Sequence, residues 1–164
     1  MTRFGKTACI AIVSILAVAS LAFGVTRAAD NPLEELNGSW AGRGTITLSN
    51  DSRERIVCRA TYEVPGANFR LALKCASDSY KFDFRADGVY QGGSISGNWY
   101  EETRHAAGTF SGSARAHHIE ARAEGQTFSA LLSLSTHGTR QSISIRSPGS
   151  TLSEATIVLT RRER

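Results

Sequence analysis

The chain has 164 residues, of which 41% are hydrophobic and 21% charged, with a formal net charge of +4 and three cysteines. Arg3, Lys6 and Arg27 fall in an N-terminal leader, and taking these three from the 19 Lys+Arg leaves 16 against 15 Asp+Glu. That near-neutral balance carries no electrostatic footprint of nucleic-acid binding, and nucleic acid is not an expected partner.

The leader comes first. Arg3 and Lys6 precede an almost wholly apolar run from Ala8 to Val25, and small residues at Ala28 and Ala29 follow. This is the layout of a cleavable secretory signal over residues 1–29, so no membrane span is expected in the mature chain. Cys9 lies at the start of the apolar run, not after it, which excludes a lipoprotein attachment site of the usual kind. A short segment, 30–37, leads into a single domain over 38–164. The two cysteines left after cleavage, Cys58 and Cys75, form an even pair in an exported chain and point to a disulfide. The mature protein is expected in the periplasm or secreted.

From residue 38 onward the chain shows short runs of period-2 alternation separated by turn residues, the pattern of an antiparallel meander. Pro32 to Leu36 can form at most a short helical turn. A loop at Asn50-Asp51 sets Ile46 opposite Ile56 and Trp40 opposite Tyr62. A hairpin centred on Gly66-Ala67 sets Tyr62 opposite Leu71, Ala60 opposite Leu73 and Cys58 opposite Cys75. Continuing, Cys75 meets Tyr80, and Asp87-Gly88 reads as a hairpin turn that sets Tyr80 against Ile95 and Phe82 against Gly93. Further turns set Trp99 against Ala106, Gly97 against Gly108, Ile95 against Phe110, and Gly112 against His117. The next set Phe110 against Ile119, Ile119 against Leu132, and Leu132 against Ile143. A last strand, Leu152 to Arg161, changes phase between Leu152 and Ile157, which signals a bulge.

One face stays apolar through all these strands, and the chain has no helix left to cover it. A sheet of this kind closes on itself to remove its edges. The expected fold is therefore all-β, an up-and-down meander of eight to ten strands closed into a barrel. A two-sheet sandwich is the alternative.

Leu36-Asn37-Gly38-Ser39-Trp40 resembles the Gly-x-Trp opening of the first barrel strand in the calycin group of lipocalins, fatty-acid-binding proteins and avidins. The resemblance implies a structural role for Trp40, with a late arginine, Arg161 or Arg162, packed over it. The stretches Val57-Cys58-Arg59-Ala60 and Cys75-Ala76-Ser77-Asp78-Ser79-Tyr80-Lys81-Phe82 resemble small exported proteins of alphaproteobacteria. The polar biotin-contacting pattern of avidins is not recognisable.

The inward register gathers Gly93, Gly97, Gly108 and Gly112 beside Trp99 and Phe110. Glycine in a strand marks a bend or a close backbone approach, so these glycines serve either to curve the barrel or to line a hollow for a small apolar, flat ligand. Tyr62 and His117 read as the polar groups of that interior, His117 to hold a ligand head group or a cofactor metal axially. Glu101 and Glu102 read as a solvated turn. No His/Cys/carboxylate set has metal-ligand spacing, and Gly93-Ser94-Ile95-Ser96-Gly97 lacks the nucleophile and helix of a serine hydrolase elbow. No cofactor and no enzymatic activity is expected.

The primary reading is thus a non-enzymatic, exported envelope protein that binds a small apolar ligand inside its barrel. One alternative is a protein-interaction module, such as an envelope protease inhibitor, acting through Ala29 to Asn37. The other is an outer-membrane barrel, disfavoured by the charged end Arg161-Arg162-Glu163-Arg164 and by the absence of aromatic girdles.

Overall fold

The computed structural model describes residues 31–126 and 128–163. The leader expected over 1–29, and Asp30, lie outside them. The strands are β1 (Gly38–Leu48), β2 (Arg53–Glu63), β3 (Asn68–Ala76), β4 (Lys81–Gln91), β5 (Ser94–Glu101), β6 (Ala106–Arg115), β7 (His118–Gly125), β8 (Ser129–His137), β9 (Arg140–Arg146) and β10 (Leu152–Arg161). Each pairs antiparallel with its neighbours in sequence, and β1 also pairs with β10, closing a ten-stranded barrel. The sandwich alternative is set aside by that seam. A single 3-10 turn, Glu34–Leu36, precedes β1.

Successive side chains on a strand point to opposite faces, and the burial pattern follows. On β2 the inward Ile56, Cys58, Ala60 and Tyr62 are buried, while Arg55, Val57, Arg59 and Thr61 are exposed. Outward positions are mostly charged or hydroxyl-bearing. Val57 and Leu131 are the large hydrophobic side chains exposed among the described residues. A lipid-facing barrel needs an outward apolar band, and the described outer face has only these two large apolar side chains exposed.

The hairpin at Gly66-Ala67 has the expected register, with Cys58 against Cys75, Ala60 against Leu73 and Tyr62 against Leu71. The other expected registers are displaced, and always by an even number of residues. Trp40 faces Ala60 and Ile46 faces Glu54, two residues from the expected pairing. Cys75 faces Phe82 instead of Tyr80, Gly97 faces Phe110 instead of Gly108, and Leu132 faces Ile145 instead of Ile143. An even slip keeps every side chain on its face, which is why the barrel survives errors in its turns.

The largest correction concerns Asp87-Gly88. These residues lie inside β4, and the turn is at Gly92-Gly93, so Tyr90 faces Ile95. Both turn glycines have positive φ, +54° and +93°, as a two-residue hairpin demands. Similarly, β6 and β7 turn at Ala116-His117 rather than Ala114-Arg115. Gly112 then faces Ala121 and Ala114 faces Ile119. Ala116 takes a left-handed φ of 47° there, a conformation alanine does not advertise.

The phase change in the last strand is present. The β1–β10 register shifts between Thr47 and Leu48, which face Glu154 and Leu152. Leu152, Ala155, Ile157 and Leu159 are all buried, with the parity changing across that irregularity.

Cys58 and Cys75 are disulfide-bonded directly across the β2–β3 ladder, with a Cα–Cα distance of 4.2 Å, and both are buried. The bridge spans 17 residues of sequence, and closing such a loop stabilises by at most about 3 kcal/mol in the chain-entropy model. Since the strands are already joined by a tight hairpin, the gain is smaller. A Cys58→Ser/Cys75→Ser variant is expected to fold with a lowered melting temperature, measured by circular dichroism in oxidising buffer. An unchanged melting temperature would show that the bridge adds nothing to the barrel.

Candidate functional site: the barrel interior

The two ends of the barrel differ. At one end residues 31–37 form a plug. Leu33 and Leu36 are 1% and 4% exposed, and each inserts an apolar side chain under the strands. Leu36 also offers its carbonyl to the Trp40 indole N–H at 2.7 Å. Arg161 lies over Trp40, its guanidinium carbon 4.4 Å from the ring centroid, and donates to the carbonyls of Glu35 and Asn37. Such a stacked cation contributes about 0.5–2 kcal/mol. It also satisfies two carbonyls that the one-turn helix leaves free.

Polar groups under the plug are paired. The Tyr62 hydroxyl donates to Gln141 Oε1 at 3.0 Å, and Gln141 Nε2 donates to Thr136 Oγ1 at 3.4 Å. All three residues are buried. Burial pushes the Tyr62 phenol well above the usual tyrosine range, against the smaller pull of its bond to Gln141. Tyr62, expected as a ligand contact, is thus part of the sealed floor.

The plug is tied down by Glu35. Its carboxylate meets His117 Nδ1 at 2.7 Å and accepts from the Gly138 N–H at 3.2 Å. His117 also lies beside His137, with ring centroids 5.3 Å apart. His117 is therefore not an interior group. It occupies the β6–β7 turn with 58% of its side chain exposed, because the turn falls on Ala116-His117 and not two residues earlier.

Above the floor, packing divides the interior. Against β1, β2 and β10 it is dense, and Ile46, Ile56, Ala155, Ile157 and Leu159 are all 0% exposed. On β4 and β6–β9 it is mixed: Ala86, Ala114, Ile119, Ala130, Leu134 and Ile143 are buried, but others are not. Phe82, Phe84, Phe110, Ala121, Leu132 and Ile145 point inward yet are only half-buried. Their side chains face away from the outer wall, so the water they contact is inside the barrel or at its unplugged mouth.

That interior is walled by aromatic rings. Phe84 stacks on Trp99 with centroids 5.9 Å apart, and Phe128 meets Trp99 edge-on at 5.5 Å. The Trp99 N–H donates to the carbonyls of Thr109 and Glu124, fixing the ring flat against the wall. The glycines explain how it lies there. A Cβ at Gly108 or Gly125 would stand 2.8–2.9 Å from the Trp99 ring, and one at Gly97 would stand 2.8 Å from Phe110. The same Cβ atoms at Gly97, Gly108 and Gly112 would fall 1.9–2.1 Å from a neighbouring strand's carbonyl oxygen. These glycines therefore permit close strand approach and seat the rings of Trp99 and Phe110. They do not themselves line a hollow, and Gly93 lies in the β4–β5 turn at the plugged end.

The open rim is built by Glu101. It is 8% exposed, not solvated, and accepts from the backbone N–H groups of Asp83, Thr103 and Arg104 at 2.8–3.1 Å. Burial opposes its charge, but the hydrogen bonds from Thr103 and these N–H groups outweigh it and hold the carboxyl below the usual glutamate range. Arg104 reaches from this turn over the Tyr80 ring, 4.3 Å from its centroid. Phe82, Phe84, Phe128, Leu132 and Ile145 escaped notice as a group because the register slips placed them at the wrong levels. Their common inward parity was the signal available. Among the described residues no cluster of three or more metal-ligating side chains is present.

No family model matches the chain, and no curated protein does. Solved structures do. Rv2717c from M. tuberculosis aligns with a TM-score of 0.65 at 16% identity, covering 80% of this chain and 98% of that one. The S-type phycobiliprotein lyase CPES from Guillardia theta aligns at 0.57 and 11% identity, covering 80% and 91%. At these identities the likeness is one of fold, and it fits a calycin-like, lipocalin-type barrel. Neither structure bears on the resemblance to alphaproteobacterial proteins.

The plug should loosen in acid. Burial opposes the Glu35 charge, but its bonds to His117 and Gly138 and the nearby imidazoles outweigh this and lower its pKa below 4.5. A depressed carboxylate contributes stability at pH values above its unfolded pKa, and this is lost as pH falls through the folded one. Glu35→Gln is expected to lower the melting temperature at pH 6 and to flatten its fall between pH 5 and 3. Identical pH profiles for the two proteins would remove Glu35 from the account.

Proposed function

We propose that this protein is an exported, non-enzymatic binding barrel of the periplasm or the extracellular medium. Its ligand is a small, apolar, flat molecule held between the aromatic wall and Leu132 and Ile145. The observation that carries this reading is the half-burial of Phe82, Phe84, Phe110, Ala121, Leu132 and Ile145, inward on β4 and β6–β9, beside the denser packing of β1, β2 and β10. Apolar surface turned inward and left wet is surface a ligand can dry, at about 25 cal/mol per Å². Stacking on the half-buried Phe84, whose ring is backed by Trp99, favours a planar shape. A barrel of the same architecture is a phycobiliprotein lyase elsewhere, which supports a role in handling another molecule. The disulfide supports an oxidising compartment, and among the described residues no helix is long and apolar enough to cross a membrane.

The protein-interaction reading gains less support. Its candidate arm, as far as residues 31–37 show it, is engaged as the plug, with Leu33 and Leu36 buried and Asn31 Nδ2 bonded to the Gly66 carbonyl.

The test is titration with N-phenyl-1-naphthylamine, an uncharged flat probe that fluoresces when dry. Saturable one-to-one binding is expected for the unmodified chain. Ala121→Phe, which fills the interior from β7, should weaken it at least tenfold, whereas Leu131→Ser on the outer face of β8 should not. Absence of saturable binding, or equal binding by all three proteins, would count against an interior site.

A further inference from the structure

The outer wall carries a segregation of charge that the interior site does not use. Arg53, Arg55 and Arg59 project outward from β2, Arg43 projects from β1, and Arg162 follows β10. All five are exposed. Among the described residues, none of them takes part in an ion pair. Of the other described basic side chains, Arg70 pairs with Glu63 and Asp87, Lys74 with Asp83, Arg85 with Glu102, and Arg146 with Glu154, whereas Lys81, Arg115, Arg122 and Arg140 are also without an ion pair but stand singly on four different strands.

The register gathers these arginines. Arg43 faces Val57 on β2 and Val158 on β10, Ala41 faces Arg59, and Thr45 faces Arg55. Val57, 55% exposed, stands at the centre with Arg43 across from it and Arg55 and Arg59 on either side. Two shallow concavities, of about 270 and 420 Å³, lie between these side chains. The first runs from Ala41 and Arg43 past Val57 to Arg59 and Arg162. The second runs from Arg43 and Thr45 to Arg55 and Val57.

A mature chain with 16 basic and 15 acidic groups has no general excess to distribute. Five such guanidinium groups on β1, β2 and the end of β10 are therefore a local concentration. Strands lie about 4.8 Å apart, and outward residues about 6.7 Å apart along each. The charges are thus spread over a patch tens of ångströms in extent rather than focused on one point. Spread guanidinium groups match a surface bearing many phosphates, since each can bond a phosphate oxygen pair independently. An exposed valine among them suits the boundary between headgroups and acyl chains.

We infer that the β10–β1–β2 wall docks the barrel on an anionic phospholipid surface, with Arg43, Arg55, Arg59 and Arg162 on headgroup phosphates and Val57 facing the interface. This attachment is peripheral and reversible, and it leaves the open mouth of the barrel free. It stands apart from the ligand-binding proposal, because none of these side chains lies in the interior.

The test is sedimentation with vesicles, using the chain from Asp30 onward. That chain contains every paired strand and the plug, and it lacks the apolar run Ala8–Val25 that would bind vesicles by itself. Vesicles of 30% phosphatidylglycerol in phosphatidylcholine are compared with phosphatidylcholine alone, at low salt and at 0.5 M salt. Binding is expected to the anionic vesicles only and to be lost at high salt, where screening is short-ranged. Each arginine near an anionic surface is worth about fivefold in partitioning, so Arg43→Gln/Arg59→Gln should weaken binding by about 25-fold. A control pair on the far wall, Arg115→Gln/Arg122→Gln, removes the same charge and should have little effect. Circular dichroism melts establish that both variants fold. Equal binding to neutral and anionic vesicles, or equal losses in the two variant pairs, would overturn the inference. So would tighter binding to soluble polyphosphate than to the vesicles, which would assign the wall to a polymer.

Discussion

The seam between β1 and β10 is the constraint on which the remaining structure depends. Without it the chain would be a ten-stranded meander with one apolar face open to water and two unpaired edges. With it, every strand has two partners and the apolar face becomes an interior. The seam is tight. A Cβ at Gly42 or Gly44 would fall 1.9–2.2 Å from carbonyl oxygens of Val158 and Thr156. Any side chain at those two positions would push β1 away from β10. The bulge opposite Thr47 and Leu48 then rotates the start of β10 so that Leu152 and Ala155 both face inward.

Closure also produces the asymmetry that matters for function. Close approach of β1, β2 and β10 packs that side of the interior densely. On the other side, larger rings on β4, β5 and β6 hold the wall apart, with the ring of Trp99 seated over glycines and Phe84 stacked upon it. The plug exists because one end of such a barrel would otherwise expose Trp40 and Tyr62. Its anchors, the Arg161 guanidinium and the Glu35 carboxylate, come from opposite ends of the described chain. Sealing the floor therefore also ties the termini together. What remains is a vessel with a fixed floor, one densely packed side and one side whose inward side chains are only partly buried.

The parity of nearly every strand residue was legible in the sequence, since alternation fixes a face independently of register. The disulfide was legible for the same reason, because Pro65-Gly66-Ala67-Asn68 marks its turn unambiguously. The levels of residues along the barrel were not. Asp87-Gly88 has the composition of a hairpin turn and lies in a strand, where Gly88 makes room for the rings of Phe69 and Phe110. Ala116 sits at a turn without any turn chemistry. The misplaced turns shifted pairings by two or four residues, and by ten at Asp87-Gly88, which put His117 inside the barrel and hid the grouping of Phe84, Phe128 and Leu132. The burial of Glu101 was also hidden, because its carboxylate is satisfied by N–H groups of its own turn and by that of Asp83 in β4, which the fold brings beside it.

The central claim is that the interior is sealed at the plug, packed against the β1 seam and open to water along the aromatic wall. It can be tested by methyl NMR of the barrel with a water-soluble nitroxide. The account predicts that the methyl signals of Leu132 and Ile145 broaden strongly while those of Ile46, Ile157 and Leu159 do not. Equal protection of all five would mean a filled core with no accessible interior, and would contradict the account.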